Sequence, residues 1–370
     1  MSFHDVVETY ESFDFNRYFD AVSDAQIEES LTKEKPTWRD LLNFLSPRAQ
    51  LFLEPMAQKA RQLTIQYFGR TIQLYIPLYI SNYCTNECVY CGFNRVNHIR
   101  RKKLTLEEIA AEAEAISKTE MKHILVLTGE ARKVTPMDYI EEAIRIIKKR
   151  FSSVSIEMFP MEMEEYRRLK AAGVDGLTVY QEVYDREIYR TVHPAGKKAD
   201  YRYRLDTPER GARAGIRMIN IAPLFGLGDQ RREAFLAGIH AKYLDDKYLD
   251  TEVSLSLPRM NAAEGGFEPT HPVDDKSFVQ FILAYRLFLP RSGITVSTRE
   301  SAALRDRLMF LGVTRMSAGS RTDVGGYTKP KESSTAQFEI NDDRDVPDII
   351  QAIRDRGFQP VFKDWELIEE

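Results

Sequence analysis

Ile72-Gln73-Leu74-Tyr75-Ile76-Pro77-Leu78-Tyr79-Ile80 reads as a strand, because β-branched and aromatic residues dominate a short run that closes before a polar segment. Seven similar β-rich runs follow, at 123–128, 154–159, 175–181, 216–223, 252–257, 293–298 and 313–317. Between them lie amphipathic stretches with helical spacing near 105–118, 136–149, 162–172, 207–214, 230–248, 274–289 and 300–311, and a last one lies near 346–356. Strand followed by helix, eight times over about 285 residues, predicts an α/β chain folded as a (β/α)8 TIM-type barrel rather than a doubly wound sheet. Such barrels gather their chemistry at the C-terminal strand ends. Here those ends read Thr128-Gly129-Glu130, Glu157, Gln181-Glu182, Pro258-Arg259, Ser297-Thr298-Arg299 and Ser317-Ala318-Gly319-Ser320-Arg321, a strongly polar set.

Upstream, apolar residues recur at spacings of three and four through Trp38, Leu41, Leu42 and Phe44, then Leu51, Leu53 and Met56. The expected organisation is an N-terminal helical extension (1–70), the barrel (71–330) and a short C-terminal extension packing on it (331–370). A chain of 370 residues with 43% hydrophobic and 29% charged residues has the composition of a folded globular protein. A net charge of −4 supplies no general field for nucleic acid. No apolar run approaches the roughly 20 residues of a membrane span, and the first residues lack a basic stretch ahead of an apolar one, so neither membrane nor secretory signal is expected. The run Arg100-Arg101-Lys102-Lys103 reads as a solvated flank of the helix that starts near Thr105.

The three cysteines of the chain are Cys84, Cys88 and Cys91, just beyond the first strand. Random placement would put all three within eight residues roughly once in a thousand chains. Three free thiols at this spacing suit a reducing, cytoplasmic setting and metal work. Loop-borne thiolates spaced C-x3-C-x2-C can wrap one face of a [4Fe–4S] cluster and leave one iron open. A zinc site is the alternative, but structural zinc takes four protein ligands, and the nearest histidine, His98, lies seven residues beyond Cys91. A zinc-stapled binding protein and a metal-free barrel aldolase or lyase therefore remain the competing classes.

The segment Cys84-Thr85-Asn86-Glu87-Cys88-Val89-Tyr90-Cys91-Gly92-Phe93 resembles the signature of radical S-adenosylmethionine (SAM) enzymes, including the aromatic residue before the last cysteine. Further stretches are similar to the aromatic amino acid lyase branch of that family. They include Asn97, Arg101, Leu104-Thr105 and Glu107-Glu108; Thr128-Gly129-Glu130; Tyr180-Gln181-Glu182-Val183-Tyr184; and His193-Pro194 with Gly196 and Lys198. Ser297-Thr298-Arg299-Glu300 and Ser317 through Tyr327 continue the likeness, which runs from about Ile72 to Trp365. Within the branch, the tyrosine lyases of thiamin thiazole biosynthesis resemble the chain most. The terminal Phe362-Lys363-Asp364-Trp365-Glu366 is similar to them as well. Hydrogenase-maturation tyrosine lyases carry a second cluster in a C-terminal extension, whereas this sequence has no cysteine after Cys91. A tryptophan lyase, or a hydrogenase-maturation relative lacking that cluster, stays open.

The resemblance implies a [4Fe–4S] cluster on Cys84, Cys88 and Cys91, with SAM on its open iron. It implies Cα–Cβ cleavage of L-tyrosine to 2-iminoacetate (dehydroglycine) and p-cresol through a 5′-deoxyadenosyl radical. A low-potential donor such as flavodoxin or ferredoxin, and thiazole synthase, are the partners it suggests. Position by position, Gly129 and Glu130 match the residues that receive the methionyl amino group of SAM. Glu157 is placed for the ribose hydroxyls or the methionyl end, and Phe93, Leu224 and Gly226 are placed to line the adenine. A free amino acid presents a carboxylate, whose natural bidentate partner is a guanidinium. Arg299 is the first candidate, supported by Ser317, Ser320 and Arg321. Arg299, Glu182 and Tyr180 form the candidate catalytic set, the last two orienting the ammonium or the phenol. Gly325-Gly326 is read as a turn that lets a loop close over substrate.

Overall fold

The computed structural model describes residues 2–328 and 334–363. Eight parallel strands, β1 (Thr71–Ser81), β2 (His123–Thr128), β3 (Ser153–Glu157), β4 (Gly176–Thr178), β5 (Met218–Ile221), β6 (Glu252–Ser256), β7 (Gly293–Val296) and β8 (Arg315–Ser317), pair in sequence order. β1 closes the ring, because it bonds β2 through Ile76↔Ile124 and β8 through Gln73↔Arg315. The (β/α)8 barrel expected from the alternation is therefore the fold.

A ninth strand, β9 (Gln359–Val361), was not anticipated. It pairs in parallel with the first residues of β1, Thr71–Gln73, on the chain's way out of the helix Val346–Asp355. Three residues are too short for periodicity to register. Six strands are also shorter than their apolar runs suggested: β3, β4, β5, β6 and β7 stop at Glu157, Thr178, Ile221, Ser256 and Val296, where the chain turns into loops at the strand ends, and β8 starts only at Arg315. The long connection after β4 holds two unanticipated helices, Arg186–Val192 and Tyr201–Leu205, capped by Asp185 and Asp200.

Before the barrel stand the helices Phe3–Thr9, Phe15–Ala21, Asp24–Thr32, Trp38–Leu45 and Leu53–Phe68. Ser2 and Ser23 open the first and third with reciprocal capping boxes, satisfying amide groups that a helix start leaves free. This layer packs on the barrel helices Gln230–Lys247 and Asp275–Phe288. Gln280 locks the contact by donating to the carbonyls of Phe44 and Ser46, each at 2.7 Å.

Inside the barrel, polar side chains fill the lower and middle layers. Asn220 donates to Ser256 Oγ at 2.8 Å and accepts from Ser254 Oγ at 3.1 Å, and Arg315 Nε donates to Gln73 Oε1 at 2.8 Å. Open space is left at the C-terminal strand ends. The C-terminal part of the chain ties down there through a buried ion pair between Arg305 and Asp342, both nearly inaccessible to solvent. The anticipated likeness at Asp364-Trp365-Glu366 lies outside the described residues.

Candidate active site

Two adjoining cavities open at the C-terminal ends of the strands. The outer one is walled by Cys84, Cys88, Cys91, Phe93, Gly129 and Glu130 together with Glu157, Glu182, Lys198, Arg204 and Gln337. The inner one, within the barrel mouth, is walled by Tyr75, Tyr180, Ser297, Arg299, Ser317, Ser320 and Phe338, among others. Tyr79, Leu127 and Glu157 belong to both walls, so whatever fills one chamber touches the partition of the other.

The cysteine loop leaves β1 and is held from three sides. Thr85 donates its amide and its hydroxyl to the Glu130 carbonyl after β2, at 2.8 and 2.9 Å. From the β4 connection, the Ala195 and Val192 carbonyls accept from the amides of Glu87 and Val89, both at 3.1 Å. Tyr90, the aromatic residue before the last cysteine, donates its hydroxyl to His193 Nε2 at 2.8 Å. That direction follows because His193 Nδ1 faces the Tyr189 carbonyl, which only accepts, and because burial holds the imidazole neutral.

Arg101 supplies the third side. Its guanidinium donates to the carbonyls of Asn82 and Phe93 at 2.7 and 2.8 Å and to that of Asn94 at 2.6 Å. The run 100–103 is therefore not wholly a solvated flank: Arg100 is exposed, but Arg101 is committed to the loop. A loop that turns its thiols inward leaves its carbonyls facing away, and Arg101 satisfies them.

Among the described residues, His4, Asp5 and Glu8 alone bring three metal-ligating atoms within 4.8 Å of one another. At least one pair of the three thiols therefore stands more than 4.8 Å apart, beyond the roughly 3.8 Å sulfur–sulfur edge of a tetrahedral site with ~2.3 Å Zn–S bonds. A four-iron cluster suits that wider opening and needs three thiolates when one iron binds another ligand. The donor set fits the cluster and argues against a zinc staple. Burial pushes the Cys88 thiol up to about 12 and raises Cys91 as well, with Lys198 acting in the opposite sense. Binding iron must expel those protons.

Gly129 makes the approach of β2 to this loop possible. A Cβ there would sit 2.4 Å from the Tyr83 carbonyl oxygen and 3.2 Å from Cys84 Cβ. Gly129→Ala is expected to cost about 1–3 kcal/mol, as overpacking does, and to lower iron bound per chain because the obstruction pushes on Cys84. Iron analysis with thermal unfolding reads both; unchanged iron content would refute the cradle role.

Glu130 faces the same chamber, its Oε2 accepting from Asn86 Nδ2 at 2.8 Å. Glu182 has φ +72°, the one positive value among described residues other than glycine. Such strain persists where surroundings over-determine it. Here Lys198 Nζ lies 2.7 Å and Arg204 3.4 Å from its Oε1. Lys198, on the single 3₁₀ turn Lys197–Ala199, and Arg204, on the helix Tyr201–Leu205, went unrecognised as site residues because both segments are short; Asp200, which caps the second, is the available signal.

Burial and the Glu182 carboxylate push Glu157 up to about 7, against pulls from Arg299, Lys198 and Arg204. A raised folded pKa gives stability that is full below the unfolded value near 4.5 and is lost as pH rises through 7. Glu157→Gln, which never ionises, is therefore expected to gain thermal stability over the cofactor-free parent between pH 5 and pH 8. A difference in melting temperature independent of pH would contradict this.

In the inner chamber the Arg299 guanidinium stacks 3.3 Å from the Phe338 ring centroid. Ser317 Oγ accepts from the Thr298 amide at 3.0 Å. Ser320 Oγ is buried without a partner, and Tyr180 has its phenol raised well above its usual range by burial. Three expected residues stand elsewhere. Arg321 is outside both walls, its amide donating to the Tyr327 hydroxyl at 3.3 Å. Leu224 packs in a satellite apolar cluster against Val89 and Tyr90 of the cysteine loop, and Gly226 lines a neighbouring groove with Met260 and Pro269 that Arg299 also borders. The strand-end run turned outward sooner than its apolar pattern implied. Gly325-Gly326 is pinned rather than free: the Gly325 amide donates to the Tyr79 carbonyl at 2.9 Å, and Glu112 accepts from the Tyr327 amide at 2.8 Å.

Known proteins resemble this chain in sequence and in fold. The model of the radical SAM superfamily matches residues 78–237, and that of the biotin and thiamin synthesis associated domain matches 256–359. The 2-iminoacetate synthases of Salmonella typhimurium and Escherichia coli are 40% identical over 343 residues, covering 92% of this chain and 91% of theirs. The FeFe-hydrogenase maturase HydG from Carboxydothermus hydrogenoformans superposes with a TM-score of 0.85 at 31% identity, covering 97% of this chain and 82% of that one.

Proposed function

This chain belongs to the radical SAM family of the 2-iminoacetate synthases, and from that premise we propose how its residues divide the work of cleaving the Cα–Cβ bond of L-tyrosine. The observation that carries the reading is the pair of chambers with a common partition: thiols in one, an arginine and hydroxyls in the other. When bound, the [4Fe–4S] cluster and SAM supply a 5′-deoxyadenosyl radical able to take a hydrogen atom from substrate.

Cys84, Cys88 and Cys91 hold the cluster, and Gly129 with Glu130 borders the space for the methionyl amino group. Glu157 stands at the partition, where a ribose hydroxyl would find an acceptor. Arg299, flattened on Phe338, offers its fork to the substrate carboxylate, with Ser320 and Ser317 as hydroxyl partners. Tyr180 and Glu182 border the amino and phenol ends. Burial in the barrel mouth excludes water from the reacting centre. The hydrogen atom taken from tyrosine would leave in 5′-deoxyadenosine, and one electron from the external donor with one proton would replace it in p-cresol, while the remaining atoms of tyrosine divide between 2-iminoacetate and p-cresol. A cytoplasmic setting, a flavodoxin- or ferredoxin-type donor and delivery of product to thiazole synthase complete the proposal, supported by the free thiols and by the relatives' names.

Tyrosine and tryptophan incubated separately with anaerobically reconstituted protein, SAM and dithionite distinguish the lyase types. p-Cresol from tyrosine and no indole product from tryptophan is the expected outcome. Cleavage of tryptophan with tyrosine untouched would assign the other substrate.

A further inference from the structure

Gln337 lies between the two chambers' chemistry. Its Nε2 is 3.6 Å from Cys91 Sγ, and its Oε1 accepts from the Tyr79 hydroxyl at 2.7 Å. An iron-bound thiolate only accepts, so the amide must turn N–H to the sulfur and its oxygen to the phenol. Tyr79, buried in the partition, therefore fixes which way the amide points.

The backbone holds this side chain at close range. The Gln337 carbonyl accepts from the Gly92 amide at 3.2 Å, and its own amide donates to the Thr322 carbonyl at 2.9 Å. A Cβ at Gly92 would come within 2.5 Å of the Gln337 carbonyl oxygen. The next residue, Phe338, is the one stacked on Arg299.

We propose that Gln337 is a positioning residue that raises the reduction potential of the cluster through its N–H···S bond to Cys91, with Tyr79 orienting the amide. The proposal rests on the reading of Cys91 as a cluster ligand. Reduction moves one electron from the external donor onto the cluster and neither forms nor breaks a bond to the protein. The added negative charge spreads onto the thiolate sulfurs, so a donor at sulfur stabilises the reduced state more than the oxidised one.

The test is a redox titration of the full reconstituted chain, followed by the electron paramagnetic resonance of the reduced cluster, without SAM or substrate. Gln337→Met keeps the length and removes the donor. At a fixed solution potential the reduced-to-oxidised ratio should fall about tenfold, or about 59 mV for a one-electron couple, with iron content unchanged. Tyr79→Phe should move it in the same direction by a smaller factor. A cluster of full iron content and unchanged potential in Gln337→Met overturns the proposal. Should that variant hold no cluster, Tyr79→Phe decides alone, and a potential equal to wild type overturns it. A wild-type chain without a cluster would sink the ligand assignment as well, whereas absence of p-cresol from a cluster-bearing protein would leave the result on Gln337 standing.

Discussion

Cys88→Ala is expected to reduce formation of 5′-deoxyadenosine to below about one part in 10⁴ of wild type, because the cofactor pair supplies the hard chemistry and nothing in the barrel replaces it. Of the three cysteines, Cys88 is the residue least exposed to solvent, and Asn94 Nδ2 fixes its carbonyl at 3.0 Å. Losing it leaves two thiolates in a chamber shaped for three. The protein should still fold, since a buried Cys→Ala change removes one sulfur atom and leaves the loop's contacts with Glu130, Ala195 and Arg101 intact. Iron and sulfide per chain, measured beside the far-ultraviolet spectrum, separate these effects. A variant with native iron content and native turnover would refute the ligand assignment.

Arg299→Lys carries the second large effect. The guanidinium is held flat on Phe338, with its backbone carbonyl taken by the side-chain amides of Asn261 and Asn341, at 3.1 and 2.7 Å. Lysine keeps the charge but has neither the fork nor the plane, so a bidentate contact becomes a single one. Truncating one partner of a buried charged pair costs about 2–5 kcal/mol; retaining the charge should place the loss near the lower end, roughly a thirtyfold fall in kcat/KM, borne mostly by KM. Cluster content should not change. An equal loss of iron would show that Arg299 supports the loop instead of the substrate.

The fold was legible because strand and helix alternate with different periods, and buried parallel strands in a barrel read as apolar runs. The cysteine set was legible from spacing alone. Residues reached across the fold were not. Arg101 looked like surface charge because its acceptors are backbone carbonyls, which no residue type announces. Lys198 and Arg204 sit on short helical segments whose partner, Glu182, belongs to another element. Gln337 and Phe338 lie in an irregular stretch after the eighth strand, and only the folded chain brings them to Cys91 and Arg299. The misplacement of Arg321, Leu224 and Gly226 has the same origin: a strand end fixes where the backbone emerges, but the loop's hydrogen bonds decide which side chains turn inward.

If the two chambers act together on one amino acid, 5′-deoxyadenosine and p-cresol measured in the same anaerobic incubation with L-tyrosine are coupled. Both should appear in equal amounts, and both should fall together when Arg299 is changed. Sustained 5′-deoxyadenosine with no p-cresol would contradict it, since SAM would then be cleaved without reaching tyrosine.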